Sequence, residues 1–425
     1  MKFALPSLMS ALMLSTAVSA ATLHGPDQEF IDTTSQFGIT QENWDSGVNA
    51  KITMQNAYKF TNFMEMTAGD KPVHDLGDAK GLDLKALTAH DLDGEYDMET
   101  IARDRMSLSS LVVLKDGDLV DEYYWNGQDV DRIHLQMSQT KSFTAMTVGI
   151  LADQGLVDKT KLISDYLPEL KDSGFGDATV QQVADMRSGI KIVFSEGKIW
   201  DERMTNVQEW NGENNYPELS SILDFGATLG QSEDKPTGEY YDYQCANTEM
   251  LNMLIERVTG EKTADVMEKL IWQQVGFDGN ALLQSNANGE VVGSGGLNTS
   301  TRKMARMMHV LVNGGKNHLG EQVIPADFID AIYAGDEEVV AAWANGKEAK
   351  MADGWYKDQI RVLNLGGHKL LAFVGIHGQA TFGDPETGVV IAMNGGQPEM
   401  QAPRTVIATF LGMIPTLIEA ANAQG

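Results

Sequence analysis

The most informative part of the chain is residues 137–156, MSQTKSFTAMTVGILADQGL. Ser138 and Lys141 have the spacing S-x-x-K, which on a helix places two side chains side by side, with Cβ atoms about 5–6 Å apart. Apolar residues then recur at i, i+3, i+7 and i+8 from Phe143, on one helix face that Gly155 ends. A serine at a helix start lies among unpaired backbone N–H groups, which stabilise an oxyanion. The stretch therefore predicts a nucleophilic serine with a lysine beside it.

The S-x-x-K spacing alone is weak support, because it occurs five times, starting at Ser138, Ser188, Ser195, Ser232 and Ser300. Glycines disfavour a helix after Ser188 and Ser195, and two acids and a proline follow Ser232. Ser300 begins an apolar helix, where the commonest role of a serine is the N-cap, and Ser138 fits a cap equally well on spacing alone. Order along the chain favours Ser138, which follows a hairpin and precedes a helix suited to the centre of a two-lobed molecule.

Strands at both ends of the chain, with helices between them, predict the fold. Asp116-Gly117 between two apolar runs predicts a hairpin after residue 107. Short apolar runs predict further strands at Leu370–Val374, Gln379–Phe382 and Val389–Met393. Helical periodicity predicts helices at Met250–Val258, Ala264–Trp272, Met304–Val312 and, kinked at Pro415, over 406–418.

These elements indicate an α/β protein with an antiparallel sheet flanked by helices. We expect the sheet domain to combine residues 106–165 and 346–425, with a mostly helical lobe, 166–345, inserted between them. Residues 21–105 show little periodicity and are interpreted as an irregular N-terminal wrap.

Residues 1–20 have a basic start, an apolar stretch and a small-residue end at Val18-Ser19-Ala20, which predicts a cleaved signal peptide. We therefore expect a periplasmic or secreted protein without a membrane anchor. With 60 Asp+Glu against 32 Lys+Arg, the net charge of −28 repels nucleic acid and anionic lipid, so neither is an expected partner. Cys245 is the only cysteine, which excludes an intrachain disulfide.

No cofactor or metal is expected from the sequence. The eight histidines lack zinc-like spacing, and no glycine-rich dinucleotide motif opens a suitable helix. Asp91-Leu92-Asp93-Gly94 has the start of a calcium loop but lacks its remaining ligands.

Residues 137–156 resemble the nucleophile helix of the serine β-lactamase and penicillin-recognising superfamily. The resemblance is closest to the branch that contains class C β-lactamases, family VIII esterases and 6-aminohexanoate-oligomer hydrolases. It runs in the same order from about Trp44 to Ile418 and rests on further matching segments: Asn43-Trp44, Tyr166–Leu170, Asp185–Gly189, Gly238–Leu251, Gly295–Leu297 and Gly375–Gln379.

The resemblance implies a tyrosine that faces the nucleophile from the helical lobe, in a motif Y-x-N or Y-x-S. Its alignment places this role on Tyr243, with Cys245 where the family has Asn or Ser. Tyr240 and Tyr241 remain alternatives that fit ordinary aromatic packing. The literal Y-x-N at Tyr124 precedes the nucleophile and lies in the hairpin, so it does not fit the role.

The resemblance also implies a third motif, K-T-G or H-x-G, on a strand beside the nucleophile. The matching place is Ile376-His377-Gly378, with the neutral Ile376 in place of the lysine that holds a substrate carboxylate. His377 is either a substitute cation or, as we favour, a half-buried strand residue, while Gly378 gives a substrate room against the strand. The backbone N–H groups of Ser138 and Gln379 are the expected oxyanion hole.

Together these features predict a serine hydrolase that cleaves a small amide or ester through an acyl-Ser138 intermediate, with Lys141 and Tyr243 moving the proton. An amidase or esterase of the 6-aminohexanoate-oligomer hydrolase type comes first, a carboxylesterase second, and a β-lactamase or DD-peptidase third. The departures at Cys245 and Ile376 leave open a catalytically idle binding or sensor module. The number of subunits is left open as well.

Overall fold

A computed structural model describes residues 21–196, 200–399 and 404–424. The strands run in chain order as β1 (Thr22–His24), β2 (Asn62–Met66), β3 (Thr88–Asp91), β4 (Gly94–Asp97), β5 (Leu108–Lys115), β6 (Asp118–Tyr124), β7 (His134–Leu135), β8 (Ile190–Lys191), β9 (Gly230–Gln231), β10 (Ala281–Ser285), β11 (Leu297–Thr299), β12 (Asp353–Lys357), β13 (Ile360–Leu365), β14 (His368–Gly375), β15 (Gln379–Asp384) and β16 (Val389–Gly395).

The α-helices are α1 (Gln28–Ser35), α2 (Ala50–Thr53), α3 (Thr140–Asp153), α4 (Ile163–Tyr166), α5 (Val180–Ala184), α6 (Glu202–Val207), α7 (Ile222–Ala227), α8 (Cys245–Thr259), α9 (Thr263–Met267), α10 (Gln273–Val275), α11 (Thr301–Val312), α12 (Ala326–Ala334), α13 (Glu337–Asn345) and α14 (Ile414–Ala423). Short 3₁₀ turns cover Gly47–Asn49, Ala57–Phe60, Met137–Gln139, Pro168–Leu170, Glu348–Lys350 and Ile376–Gly378. Helical segments of π geometry cover Thr100–Arg105, Glu268–Trp272 and Thr405–Met413.

A seven-stranded antiparallel sheet forms the centre of the molecule, in the order β12-β13-β14-β15-β16-β5-β6. Its strands come from both ends of the chain, because β16 pairs with β5. Side chains alternate across it: Val112 and Leu114 pack with α3, α11 and α12, whereas Leu111 and Val113 pack with the C-terminal helix. The predicted α/β fold with an antiparallel sheet flanked by helices is confirmed.

Two hairpins of the large sheet differ in how visible they are in the sequence. The predicted β5–β6 hairpin turns at Asp116 and Gly117, with φ of 53° and 90°, the positive pair that a type I′ turn needs. The β12–β13 hairpin turns at Asp358 and Gln359, with φ of 48° and 59° but no glycine or asparagine. The sequence analysis missed this second hairpin because Gln359 stands where a glycine would complete a recognisable turn signal after the aspartate.

A second, five-stranded sheet has the order β1-β2-β10-β11-β7. It joins the N-terminal segment to the middle of the chain, since β2 pairs with β10. The sequence analysis predicted neither this sheet nor any strand within 166–345. The short β7 and β11 strands pair beside the turn that carries Ser138 and so tie this sheet to the site.

The helices predicted in the middle of the chain are present, with different packing partners. Helix α8 packs against α3, α5 and α7 in the core of the helical lobe. Helix α11 lies within the segment predicted as the lobe, yet it packs on β15, β16 and β5 of the large sheet. The domain boundaries therefore stay a prediction.

The C-terminal helical segment, Thr405–Ala423, changes from π to α geometry at Ile414, next to Pro415, where a kink was predicted. Within the described residues it is the one helix long and apolar enough to cross a bilayer, with a mean hydropathy of 1.5. About half of it is buried against the protein, including contacts with β5 and β16, as in the core helix of a globular domain. Length and composition are therefore weak support for a membrane span here.

Candidate active site

Ser138 lies in the tight turn Met137–Gln139 that leads into α3. Met137 has a φ of 48°, a left-handed conformation that is strained for a methionine and marks a constrained site. The end of β14 packs directly on this turn, because a Cβ placed on Gly375 would lie 3.0 Å from the Ser138 backbone nitrogen and 2.7 Å from the Gln136 carbonyl oxygen. Only glycine fits there, and this contact holds the serine against the end of strand β14 of the large sheet.

Lys141 is buried one helical turn after Ser138. Its ammonium donates to Ser138 Oγ at 2.8 Å and to the Ser294 carbonyl oxygen at 2.7 Å. Burial alone would lower the pKa of Lys141, but the negative charge that Cys245 and Tyr243 can carry and their hydrogen bonds with the ammonium outweigh it, so its pKa lies above the ordinary value. Lys141 is therefore an ammonium at neutral pH, which favours negative charge on the groups around it.

Tyr243 precedes α8 and lies between two cations. Lys141 Nζ is 5.0 Å from the centroid of its ring and the guanidinium carbon of Arg361 is 4.9 Å from the same centroid. Arg361, on β13, is buried and also forms a two-pronged ion pair with Glu348. The sequence analysis missed Arg361, because nothing in its local sequence brings β13 to the nucleophile.

Cys245 is the first residue of α8 and lines the same cavity as Ser138 and Tyr243. The alternative Tyr241 and the Y-x-N tyrosine Tyr124 both have their hydroxyls bonded elsewhere. Tyr241 is buried with its hydroxyl donating to Glu348, and Tyr124 donates to Glu122 on the hairpin.

The predicted third motif forms a turn rather than a strand. Its φ values are 63° at His377 and 90° at Gly378, so the glycine meets a backbone requirement of the turn. His377 is buried, with its Nδ1 2.6 Å from the Gln397 carbonyl oxygen, which makes Nδ1 the donor; burial lowers the pKa of this histidine despite that contact. It is therefore neutral rather than a substitute cation, and it is not a half-buried strand residue.

Residues 376–379 differ in whether they line the cavities beside Ser138. Ile376 lines both cavities beside Ser138, whereas Gln379 lines neither. The Gln379 side chain is buried beneath the turn, where it donates to the Gly395 carbonyl oxygen and accepts from the Asn394 amide. The role of its backbone N–H in the oxyanion hole stays a prediction.

The competing S-x-x-K pairs at Ser300 and Ser232 are engaged elsewhere. Ser300 is the N-cap residue of α11, and Lys303 pairs with Asp278. Lys235, three residues after Ser232, pairs with Asp242.

Asp91, in the calcium-like stretch, is an ion-pair partner of two arginines. Among the residues that the structure describes, no group of three or more His, Cys, Asp or Glu side chains is arranged to hold a metal.

Two cavities meet at Ser138, Tyr243 and Ile376, with volumes of about 480 and 510 Å³. The first is lined by aromatic and aliphatic side chains together with Asp45 and Asp201. The second lies between β14 and the C-terminal helical segment, which contributes apolar side chains. Both volumes fall within the range of small-molecule sites, and their junction leaves room for the two halves of a substrate on either side of the serine.

One buried carboxylate close to the site has no counterpart in the sequence analysis. Glu249, one turn into α8, accepts hydrogen bonds from the backbone nitrogens of Gly293 and Ser294, at 3.2 and 2.9 Å. It also accepts one from the Gln208 side-chain amide at 2.8 Å. The available signal was an acid among the residues 246–255 of α8, which are all buried.

Comparison with known proteins gives a consistent set of relatives. The Beta-lactamase family model matches residues 98–410. A 6-aminohexanoate-dimer hydrolase from Paenarthrobacter ureafaciens is 28% identical over 302 residues, 68% of this chain and 73% of that protein. The fold resembles a Bacillus anthracis protein named as a candidate 6-aminohexanoate-dimer hydrolase, with a TM-score of 0.80, 22% identity, and coverage of 91% of this chain and 97% of that one. A family VIII carboxylesterase has a TM-score of 0.54 at 18% identity, covering 77% and 95% of the two chains.

The fold and the contact between Ser138 and the buried Lys141 define a serine hydrolase. The chain belongs to the beta-lactamase family, as its sequence resemblance predicted; it is related to a 6-aminohexanoate-dimer hydrolase and shares its fold with a family VIII carboxylesterase.

Proposed function

We propose that the protein hydrolyses amide or ester bonds through a covalent acyl-Ser138 intermediate. The observation that carries the proposal is the contact of 2.8 Å between Lys141 Nζ and Ser138 Oγ at the junction of two cavities. Ser138 Oγ forms a bond to the substrate carbonyl carbon and loses its proton. Because Lys141 is already protonated, the base that receives this proton is Tyr243 in its phenolate form, whose negative charge the cations beside its ring stabilise until the proton arrives.

The remaining steps follow from the same groups. The backbone N–H of Ser138, at the start of the helix, and one from the 376–379 segment, by resemblance that of Gln379, stabilise the oxyanion. The bond from the carbonyl carbon to the leaving nitrogen or oxygen then breaks, and Tyr243 returns the proton to the leaving group. A water molecule attacks the acyl-Ser138 ester by the reverse sequence and frees the acid.

A linear amide or ester of the 6-aminohexanoate-oligomer type is the substrate class that we propose. The relative from Paenarthrobacter ureafaciens carries that activity in its name, and two cavities on opposite sides of Ser138 suit a chain that runs through the cleft. Ile376 offers no charge to a β-lactam carboxylate, so efficient turnover of β-lactams is not expected.

A substrate panel tests this assignment. We expect measurable hydrolysis of p-nitrophenyl esters and of linear 6-aminohexanoate amides, and turnover of a chromogenic cephalosporin that is lower by about 100-fold or more in kcat/KM. Release of product would be followed by absorbance for the esters and by amine detection for the amides, with Ser138→Ala as the background. Preferential hydrolysis of the cephalosporin would contradict the proposed substrate class.

We also propose that the protein is exported and that its leader is removed after Ala20. The pattern of residues 1–20 supports this, together with a contact at the new end: the backbone nitrogen of Ala21 donates to Asp265 Oδ1 at 2.6 Å. After cleavage this nitrogen becomes an ammonium that faces the carboxylate. Sequencing the N-terminus of the protein recovered from the periplasm or the medium should give Ala21. A native protein that keeps residues 1–20 would contradict the proposal.

A further inference from the structure

Glu249 is linked to Lys141 through a single loop. Its carboxylate accepts the backbone N–H groups of Gly293 and Ser294, and the Ser294 carbonyl oxygen accepts the Lys141 ammonium. All of these contacts are buried. Glu249 therefore acts on the loop that holds one of the hydrogen bonds of Lys141.

The peptide group between Gly293 and Ser294 is held at both ends. Glu249 on α8 takes its N–H, and the hydroxyl of Thr144 on α3 donates to its carbonyl oxygen at 2.9 Å. This double attachment leaves the peptide no freedom to rotate, so the next carbonyl, that of Ser294, stays aimed at Lys141. Asn252 adds a third attachment at the Val291 carbonyl oxygen.

The surroundings of Glu249 place the pKa of its carboxyl group in the physiological range. Burial raises its pKa to about 7, against the opposing effects of the Ser294 and Gly293 N–H groups and of Lys141. Lys141 on α3 is the charged side chain that acts on it; Gln208, which follows α6, contributes a neutral amide, and Tyr243 and Cys245 interact with Lys141. Above about pH 7 the charged carboxylate accepts all three donors, and below it protonation removes part of this capacity.

We infer that Glu249 is a positioning residue: its carboxylate fixes the 293–294 peptide so that the Ser294 carbonyl holds the Lys141 ammonium toward Ser138. The inference rests on the proposed function of Ser138 and Lys141. It assigns a role to a residue that does not itself touch the reacting atoms.

The test is Glu249→Gln, which keeps the size of the side chain but replaces one acceptor oxygen by a donor that opposes the loop N–H groups. We expect kcat for a p-nitrophenyl ester to fall about 10- to 100-fold with KM within about 2-fold, because a small displacement of a catalytic group has this scale of effect. In the native protein kcat should rise with pH through about 7, and in the variant that rise should be lost.

Glu256→Gln is the matched control, since Glu256 lies on the same helix, is largely buried and pairs with Lys262 instead. It should keep both kcat and the pH profile. If Glu249→Gln does not fold, Thr144→Val releases the other end of the same peptide and should give the same fall in kcat without a change of KM. An unchanged kcat and pH profile in Glu249→Gln, or equal losses in the Glu256 variant, would overturn the inference. Full activity of Ser138→Ala would instead refute the proposed function, whatever Glu249 does.

Discussion

Ser138→Ala should abolish nearly all hydrolysis. We expect kcat for a p-nitrophenyl ester to fall about 1,000-fold or more, because the variant has no oxygen to form the acyl intermediate and keeps only binding and the oxyanion donors. Removing one oxygen from a side chain at the cavity junction should leave the fold intact, so the melting temperature should stay close to that of the native protein. Initial rates and a thermal melt on the same preparation check both expectations.

Ser300→Ala is the control for this loss. Ser300 has the same S-x-x-K spacing and also lies at a helix start, but it is buried and its lysine pairs with Asp278. Its replacement should leave kcat within about 2-fold and affect stability alone. Equal rates for the native protein and Ser138→Ala would refute the nucleophile assignment.

Lys141→Met should cause a loss of comparable size. The side chain is buried and donates to both Ser138 Oγ and the Ser294 carbonyl oxygen, and it faces the ring of Tyr243. Methionine fills the space without charge, so Ser138 Oγ loses the cation that contacts it and Tyr243 loses one of the two cations beside its ring. We expect kcat to fall about 100- to 10,000-fold, the usual range for loss of proton-transfer catalysis, because Tyr243 no longer has this ammonium to stabilise its charged form.

Lys235→Met provides the comparison, because Lys235 has the same sequence spacing from Ser232 but pairs with Asp242 in a partly exposed ion pair. It should keep nearly full activity, since exposed ion pairs contribute little. A Lys141→Met variant that retains more than about a tenth of the native kcat would show that proton transfer does not depend on this ammonium.

Much of the fold was predicted from local signals in the sequence. Asp116-Gly117 predicted its hairpin because both residues tolerate the positive φ of a type I′ turn. Asp358-Gln359 likewise has positive φ at both residues, with a glutamine in place of the glycine, and contacts from elsewhere hold it: the Gln359 carbonyl oxygen accepts from Ser142 and its side-chain oxygen from Thr248. A turn stabilised by tertiary contacts leaves no signature in its own sequence.

The residues of the candidate site likewise form two groups, those that the sequence analysis identified and those that it missed. Ser138 and Lys141 were visible because one helical turn separates them, and Tyr243 because the family resemblance supplied its place. Arg361 and Glu249 were missed, since each reaches the site from a separate element through long-range packing. His377 was assigned to a strand, but a turn with positive φ and a hydrogen bond to Gln397 places it instead. The tertiary environment of these residues, rather than their neighbours in sequence, sets what they do.

The most direct test of the central claim is the intact mass of the protein after incubation with a fluorophosphonate, followed by peptide mapping. Attack by Ser138 Oγ displaces fluoride and leaves a stable phosphonyl ester. The account predicts one adduct per chain, located on Ser138, with none on Ser138→Ala and a much slower reaction of Lys141→Met. A chain that takes up no reagent, or one that carries it on Cys245 or Ser300 instead, would contradict it.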